Sequence, residues 1–101
     1  MEPRTAHKRH DLKTWPKQFK AIVSGRKKFE IRKTDDRDFR AGDELFLREW
    51  NPEKKEYTGR YVCAGVLYIT EAGEWGLPEN LCVMSLSVQY WYIGDSLLGD
   101  E

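Results

Sequence analysis

The sequence predicts an α+β domain that is mostly β: a small mixed or antiparallel barrel of about five strands, with one short helix packed against it. Three observations predict this. Only one stretch, from Pro16 to the glycine at 25, spaces its apolar residues as a helix does, whereas five others run as strands. Tight polar turns join several of those strands, and a doubly wound parallel sheet would need a helix between most of them. Closure into a barrel would also remove the free edges that five strands leave. A chain of 101 residues, 40% hydrophobic and 13% aromatic, has material for one core.

The elements follow in order. Residues 1–9 are polar and aperiodic and read as an N-terminal arm; the domain proper runs from 10 to 93, and 94–101 is a tail. HDLKTW (10–15) alternates as a first strand with Leu12 on one face. The helix starts at TWP, where Thr14 or Trp15 can cap it and Pro16 fits the first turn, which has no use for its missing N–H. Phe19, Ile22 and Val23 make one apolar stripe, Lys17, Gln18 and Lys20 take the wet side, and Gly25 stops the helix. KKFEIRK (27–33) is the second strand. Period two puts Phe29 and Ile31 on one side, expected in the core, and Lys28, Glu30 and Arg32 on the other. DELFLREW (43–50) is a third strand with Leu45 and Leu47 facing together. RYVCAGVLYIT (60–70) is a long fourth strand in which Gly65 marks a bulge or bend. An acidic loop at 71–80 leads to the last strand, CVMSLSVQYWY (82–92).

Formal net charge is zero, but its distribution is uneven. Residues 1–40 hold 13 Lys/Arg against 6 Asp/Glu, and residues 41–101 hold 4 against 11. Either the halves attract each other across the fold, or the N-terminal half meets an anionic partner. Cys63 and Cys82 sit in apolar runs far from His7 and His10, without the ligand spacing of zinc sites, so buried free thiols are expected and no metal. No apolar run approaches a membrane span, and the basic N-terminus lacks the apolar stretch of a secretion signal. The expectation is a cytoplasmic protein with no cofactor and no membrane partner.

The chemistry concentrates in residues 27–38. Lys27, Glu30 and Arg32 share one short element: an Arg fork suits phosphate or a base edge, a Lys supplies a mobile charge, and a carboxylate accepts from an amine. The competing reading is a surface ion-pair network with Asp35, Asp36 and Asp38, worth little per pair. Those three aspartates lack the spacing of a calcium loop and read as turn formers. Arg37 is placed to reach the same space. Trp15 and Trp50, at element ends among polar residues, are the stacking candidates, ahead of Trp75 in the acidic loop. Lys13 extends the basic surface, and His10 is expected to be solvent-exposed beside it.

LKTWPKQFKAIVSGRKKFEIRK followed by DRDFRAGDELFLREW resembles the ASCH domain of the PUA-like superfamily, and most closely a bacterial and phage branch of it with no assigned function. The resemblance rests on Gly25, Lys27, Glu30 and Arg32 as G-x-K-x-x-E-x-R. It extends through TGR at 58–60 to GLPEN at 76–80 and covers roughly residues 10–92. It implies a PUA-like barrel with a cleft between helix and barrel wall that takes RNA or a nucleotide. Some related small proteins are amidohydrolases of acetylated cytidine that use a lysine and a threonine. The lysine corresponds to Lys27, but the threonine's position holds Glu30, a poor stand-in for a hydroxyl nucleophile.

The expected function is therefore an RNA- or nucleotide-binding module whose ligand meets Lys13, Trp15, Lys27, Glu30, Arg32, Arg37 and Trp50. One alternative is an enzyme on a modified nucleoside, with Lys27 and Glu30 as the catalytic candidates. Another is a phage or mobile-element interaction domain that uses the acidic 71–79 loop.

Overall fold

The protein's fold, taken from a computed structural model, is described for residues 6–94; most of the expected arm and tail lie outside the described residues. The order is β1 (Arg9–Thr14), α1 (Pro16–Val23), β2 (Phe29–Lys33), β3 (Glu44–Asn51), β4 (Glu56–Thr70), a 3-10 turn at Glu74–Gly76, and β5 (Leu81–Tyr92). One five-stranded sheet in the order β1-β3-β4-β5-β2 curls into a half-barrel. β1 runs parallel to β3 and every other pairing is antiparallel. Among the described residues no helix is long and apolar enough to cross a membrane.

The curl has a local cause. Against β5, β4 shifts register between Cys63 and Ala64 and again between Val66 and Tyr68, and such bulges bend and twist a strand. Gly65 lies between the two shifts. A Cβ there would come within 2.9 Å of the Gln89 amide, so the glycine also permits a close approach.

α1 lies across the concave face. Pro16 occupies its first turn after Trp15, whose backbone is extended, and the Phe19 N–H bonds the Trp15 carbonyl at 2.9 Å. Neither expected cap operates through a side chain at Trp15, and the Thr14 hydroxyl is used elsewhere. Phe19 and Ile22 are buried against Leu12, Leu45, Leu47, Val62, Met84 and Leu86. Burying each of these large side chains is worth about 1.5–3 kcal/mol. Gly25 follows the helix at φ +85°, a left-handed turn that glycine adopts without strain. The Lys27 N–H then reaches back to the Ala21 carbonyl at 2.9 Å, which fixes where the next strand begins.

β2 corrects the sequence reading. Phe29 and Ile31 are 43% and 48% exposed, whereas Glu30 is only 3% exposed and Arg32 half-buried. The alternation is present with its faces exchanged. β5 decides this, because Cys82, Met84 and Leu86 must face the core. Antiparallel partners share a face, and the register pairs Glu30 with Met84 and Arg32 with Cys82.

β1 and β2 remain as edges on either side of an open seam. Arginines span it. Arg32 Nη2 donates to the Lys13 carbonyl at 2.9 Å and Arg37 Nη2 to the Asp11 carbonyl at 3.1 Å. Side chains from across the seam thus occupy two alternate edge carbonyls of β1 that a further strand would otherwise pair.

Candidate nucleotide site

Beside this seam is a hollow of about 830 Å³ between β1, the start of α1, β2 and the 34–39 segment. Six of the seven residues singled out in the sequence line it: Lys13, Trp15, Lys27, Glu30, Arg32 and Arg37. Trp50 does not. It sits on β3, packs edge-on to Tyr57 at 5.0 Å, and carries Lys13 Nζ 3.8 Å above its ring. The turn at Gly25 and the inward phase of β2 bring Lys27 and Glu30 to the same wall.

Glu30 is the centre of the charge arrangement. Its Oε2 accepts from Arg32 Nε at 2.7 Å, while Lys27 Nζ lies 3.5 Å from Oε1. Lys27 Nζ makes its short bond to Gln18 Oε1, at 2.7 Å. Glu30 Oε1 is buried and accepts no hydrogen bond. The competing reading, a surface network with Asp35, Asp36 and Asp38, is therefore not the arrangement that forms around Glu30, and Asp38 pairs with Arg40. A buried carboxylate is tolerable only with cations beside it, and the two residues of the motif supply them.

Arg32 lines the hollow, yet its Nε and Nη2 are spent on Glu30, the Lys13 carbonyl and the Thr14 hydroxyl. That makes it a strap across the seam first. Lys33, exposed at the end of β2, and Arg37 on the following segment add cationic groups to the lining. Phe39, Ile31 and Leu81 give it apolar surface.

Sequence reasoning missed several residues here. Thr14 faces the hollow, and its signal was legible, because it alternates with Leu12. Gln18 was assigned to the wet side of the helix and instead holds Lys27; no sequence signal marks that contact. His10 was expected in solvent but is buried, its Nε2 2.8 Å from Asp43 Oδ2 and its ring 4.6 Å from that of Phe39. The physical reason is the same alternation: His10, Leu12 and Thr14 form the inward face of β1. Asp43 is itself fully buried and also accepts the Lys8 and Arg40 N–H groups at 3.0 Å each, which ties the 34–43 loop to the head of β1.

The TGR stretch finds its role on the sheet. Thr58 Oγ1 and Arg60 Nε both donate to Oε1 of buried Glu49, at 2.9 and 2.6 Å. Glu49 follows Leu45 and Leu47 on the inner face of β3, so its burial was written in the pattern. Cys63 and Cys82 are buried free thiols as expected. Burial pushes both upward from the ordinary thiol value, aided at Cys82 by the negative charge of Glu71. Trp75 is 92% exposed in the acidic loop, away from the hollow.

Comparison with known proteins adds the following. Over 66 residues the chain is 37% identical to an uncharacterized 12.9 kDa protein in the GpA 3′ region of Escherichia phage P2. The aligned part is 65% of this chain and spans 58% of that relative's length. The profile of a domain of unknown function, DUF3850, matches residues 9–86, a range that takes in the hollow, both strands of its seam and the helix between them. The chain belongs to the DUF3850 family.

Proposed function

We propose that the hollow beside the β1–β2 seam binds RNA or a nucleotide, and that the domain is of the ASCH type within the PUA-like superfamily. The observation that carries this reading is the meeting, in one cavity, of cations from three separate segments. Lys27 and Lys33 come from the 27–33 segment, Arg37 from the loop after it, and Lys13 from β1, where it lines the hollow while its ammonium rests over Trp50. They surround apolar and aromatic surface from Phe39, Ile31 and Trp15. Cations at a rim suit phosphate, and a flat apolar wall suits a base. The half-barrel with a helix across its concave side agrees with the fold that the G-x-K-x-x-E-x-R resemblance implies.

Titration of the protein with short single-stranded RNAs and with nucleoside monophosphates, followed by tryptophan fluorescence and chemical-shift change, tests the reading. Saturable shifts at Trp15, Lys27 and Arg37 are expected. Shifts confined to other surfaces, or none, would overturn it.

The Lys27–Glu30 approach of 3.5 Å favours a second reading, an enzyme acting on a modified nucleoside, because it sets an acid and a base on one wall. Incubation with acylated and alkylated nucleosides tests it, and no turnover of any of them would retire it.

A further inference from the structure

We propose that Glu30 Oε1 selects the ligand's base by accepting a hydrogen bond from an amino group, so that the hollow prefers amino-bearing bases over their keto counterparts. The inference rests on the reading of the hollow as a nucleotide site and adds what that site distinguishes.

The argument starts from an incomplete set of bonds. Glu30 is 3% exposed, and its two oxygens are treated unequally. Oε2 is satisfied by Arg32 Nε at 2.7 Å. Oε1 is buried and accepts no hydrogen bond, and Glu30 is one of the residues that line the hollow. The nearest cation, Lys27 Nζ at 3.5 Å, is held at 2.7 Å by Gln18 Oε1. A buried acceptor without a donor is costly, and more so when it is charged. A ligand that brings a donor to Oε1 recovers that cost.

A carboxylate offers lone pairs only, so the ligand atom facing Oε1 must carry a hydrogen. Arg32 is already committed on the other oxygen, which leaves room for one donor rather than a two-pronged partner. An exocyclic amine on a flat ring meets this need, as an acidic side chain accepts from the amino group of cytosine. One face of the ring would lie along the apolar surface of Phe39. A carbonyl in place of the amine would set two acceptors face to face in a partly desolvated site. Sites with buried polar groups reject ligands that leave those groups unpaired far more strongly than they reject small changes of shape.

The test is a binding series on the wild-type protein with matched pairs: cytidine against uridine monophosphate, and adenosine against inosine monophosphate, at one salt concentration. We expect the amino member of each pair to bind about tenfold or more tightly, the range that one good base contact supplies. Glu30→Gln, which can present an amide N–H at the same place, should bring both ratios close to one or invert them. Thermal melting of that variant reports whether it folds; if it does not, the wild-type series decides alone. Equal binding of both members of each pair overturns the inference and leaves the hollow a nucleotide site, whereas no binding by any of the four overturns the inference together with the free-nucleotide reading, and the RNA titrations then decide the rest. Full preference retained in folded Glu30→Gln overturns it as well.

Discussion

Arg32 Nε stands 2.7 Å from Glu30 Oε2 on an edge strand, and both side chains turn into the half-barrel while the apolar residues between and beside them turn out. Two ionic groups therefore occupy core-facing positions of β2, where the sheet meets a hollow. Removing one charge should cost more than replacing both. Arg32→Ala leaves a nearly buried carboxylate short of its main partner and also releases the seam at the Lys13 carbonyl. A loss of about 3 kcal/mol is expected, the low end for breaking a buried pair because Arg32 is partly exposed. Glu30→Leu combined with Arg32→Leu should cost less than Arg32→Ala. Urea denaturation of the three proteins checks the order.

The exchanged faces of β2 give a second prediction. With Phe29 and Ile31 nearly half exposed, Phe29→Thr and Ile31→Thr should each cost about 1 kcal/mol or less. Leu47→Ala, at a fully buried position, should cost about 2–5 kcal/mol. Equal losses in thermal or chemical denaturation would mean that Phe29 and Ile31 are core residues after all.

Asp43 is the acceptor on which the head of β1 and the 34–43 loop converge. Asp43→Ala removes the acceptor from the buried His10 ring and from the part-buried Lys8 and Arg40 N–H groups. At about 1–3 kcal/mol for an unsatisfied buried group, a total loss of at least about 3 kcal/mol is expected. Amide exchange should speed up first at Lys8 and Arg40, ahead of the core strands β4 and β5.

The thiols supply the pH dependence. Burial raises the folded-state values of Cys63 and Cys82, so the native state holds these protons more tightly than the unfolded chain does. Their contribution is fully present below the unfolded thiol value and is lost as pH rises through the raised folded value. Stability should therefore fall above about pH 9. The urea midpoint measured from pH 8 to 10 should drop less steeply in Cys63→Ala and Cys82→Ala than in the wild type.

If the ligand is a single-stranded RNA, its affinity should fall with salt at a log–log slope of about −0.7 per phosphate contacted. Lys33→Ala and Lys13→Ala should each reduce that slope by about this amount if their charges meet phosphate. Lys54→Ala, in the distant β3–β4 turn, should leave it unchanged. Fluorescence titrations at several salt concentrations measure all four slopes.

Some of this was decided by local chemistry and could be read directly. Pro16, the Phe19–Ile22 stripe and Gly25 fix where α1 begins, which face it buries and where it stops, because each acts within a few residues. Leu45 and Leu47 are fully buried on β3, and Lys27, Glu30 and Arg32 reach one hollow together because they belong to one short motif, whereas Lys13, Trp15 and Arg37 join them only through the fold. Which side of β2 faces inward was not readable. Alternation says which residues share a face, never which face is inside, and that choice came from Met84 and Cys82 across the ladder, 54 and 50 positions from their partners Glu30 and Arg32. Other pairings were equally out of view: β1 beside β3 buried His10 on Asp43, the β3–β4 hairpin gave Glu49 its partners in Thr58 and Arg60, and the unpaired edges of β1 and β2 left an open seam for Arg32 and Arg37 to span. A charged residue looks like surface until the tertiary fold brings its counter-charge, and only then does burial become the lower free energy.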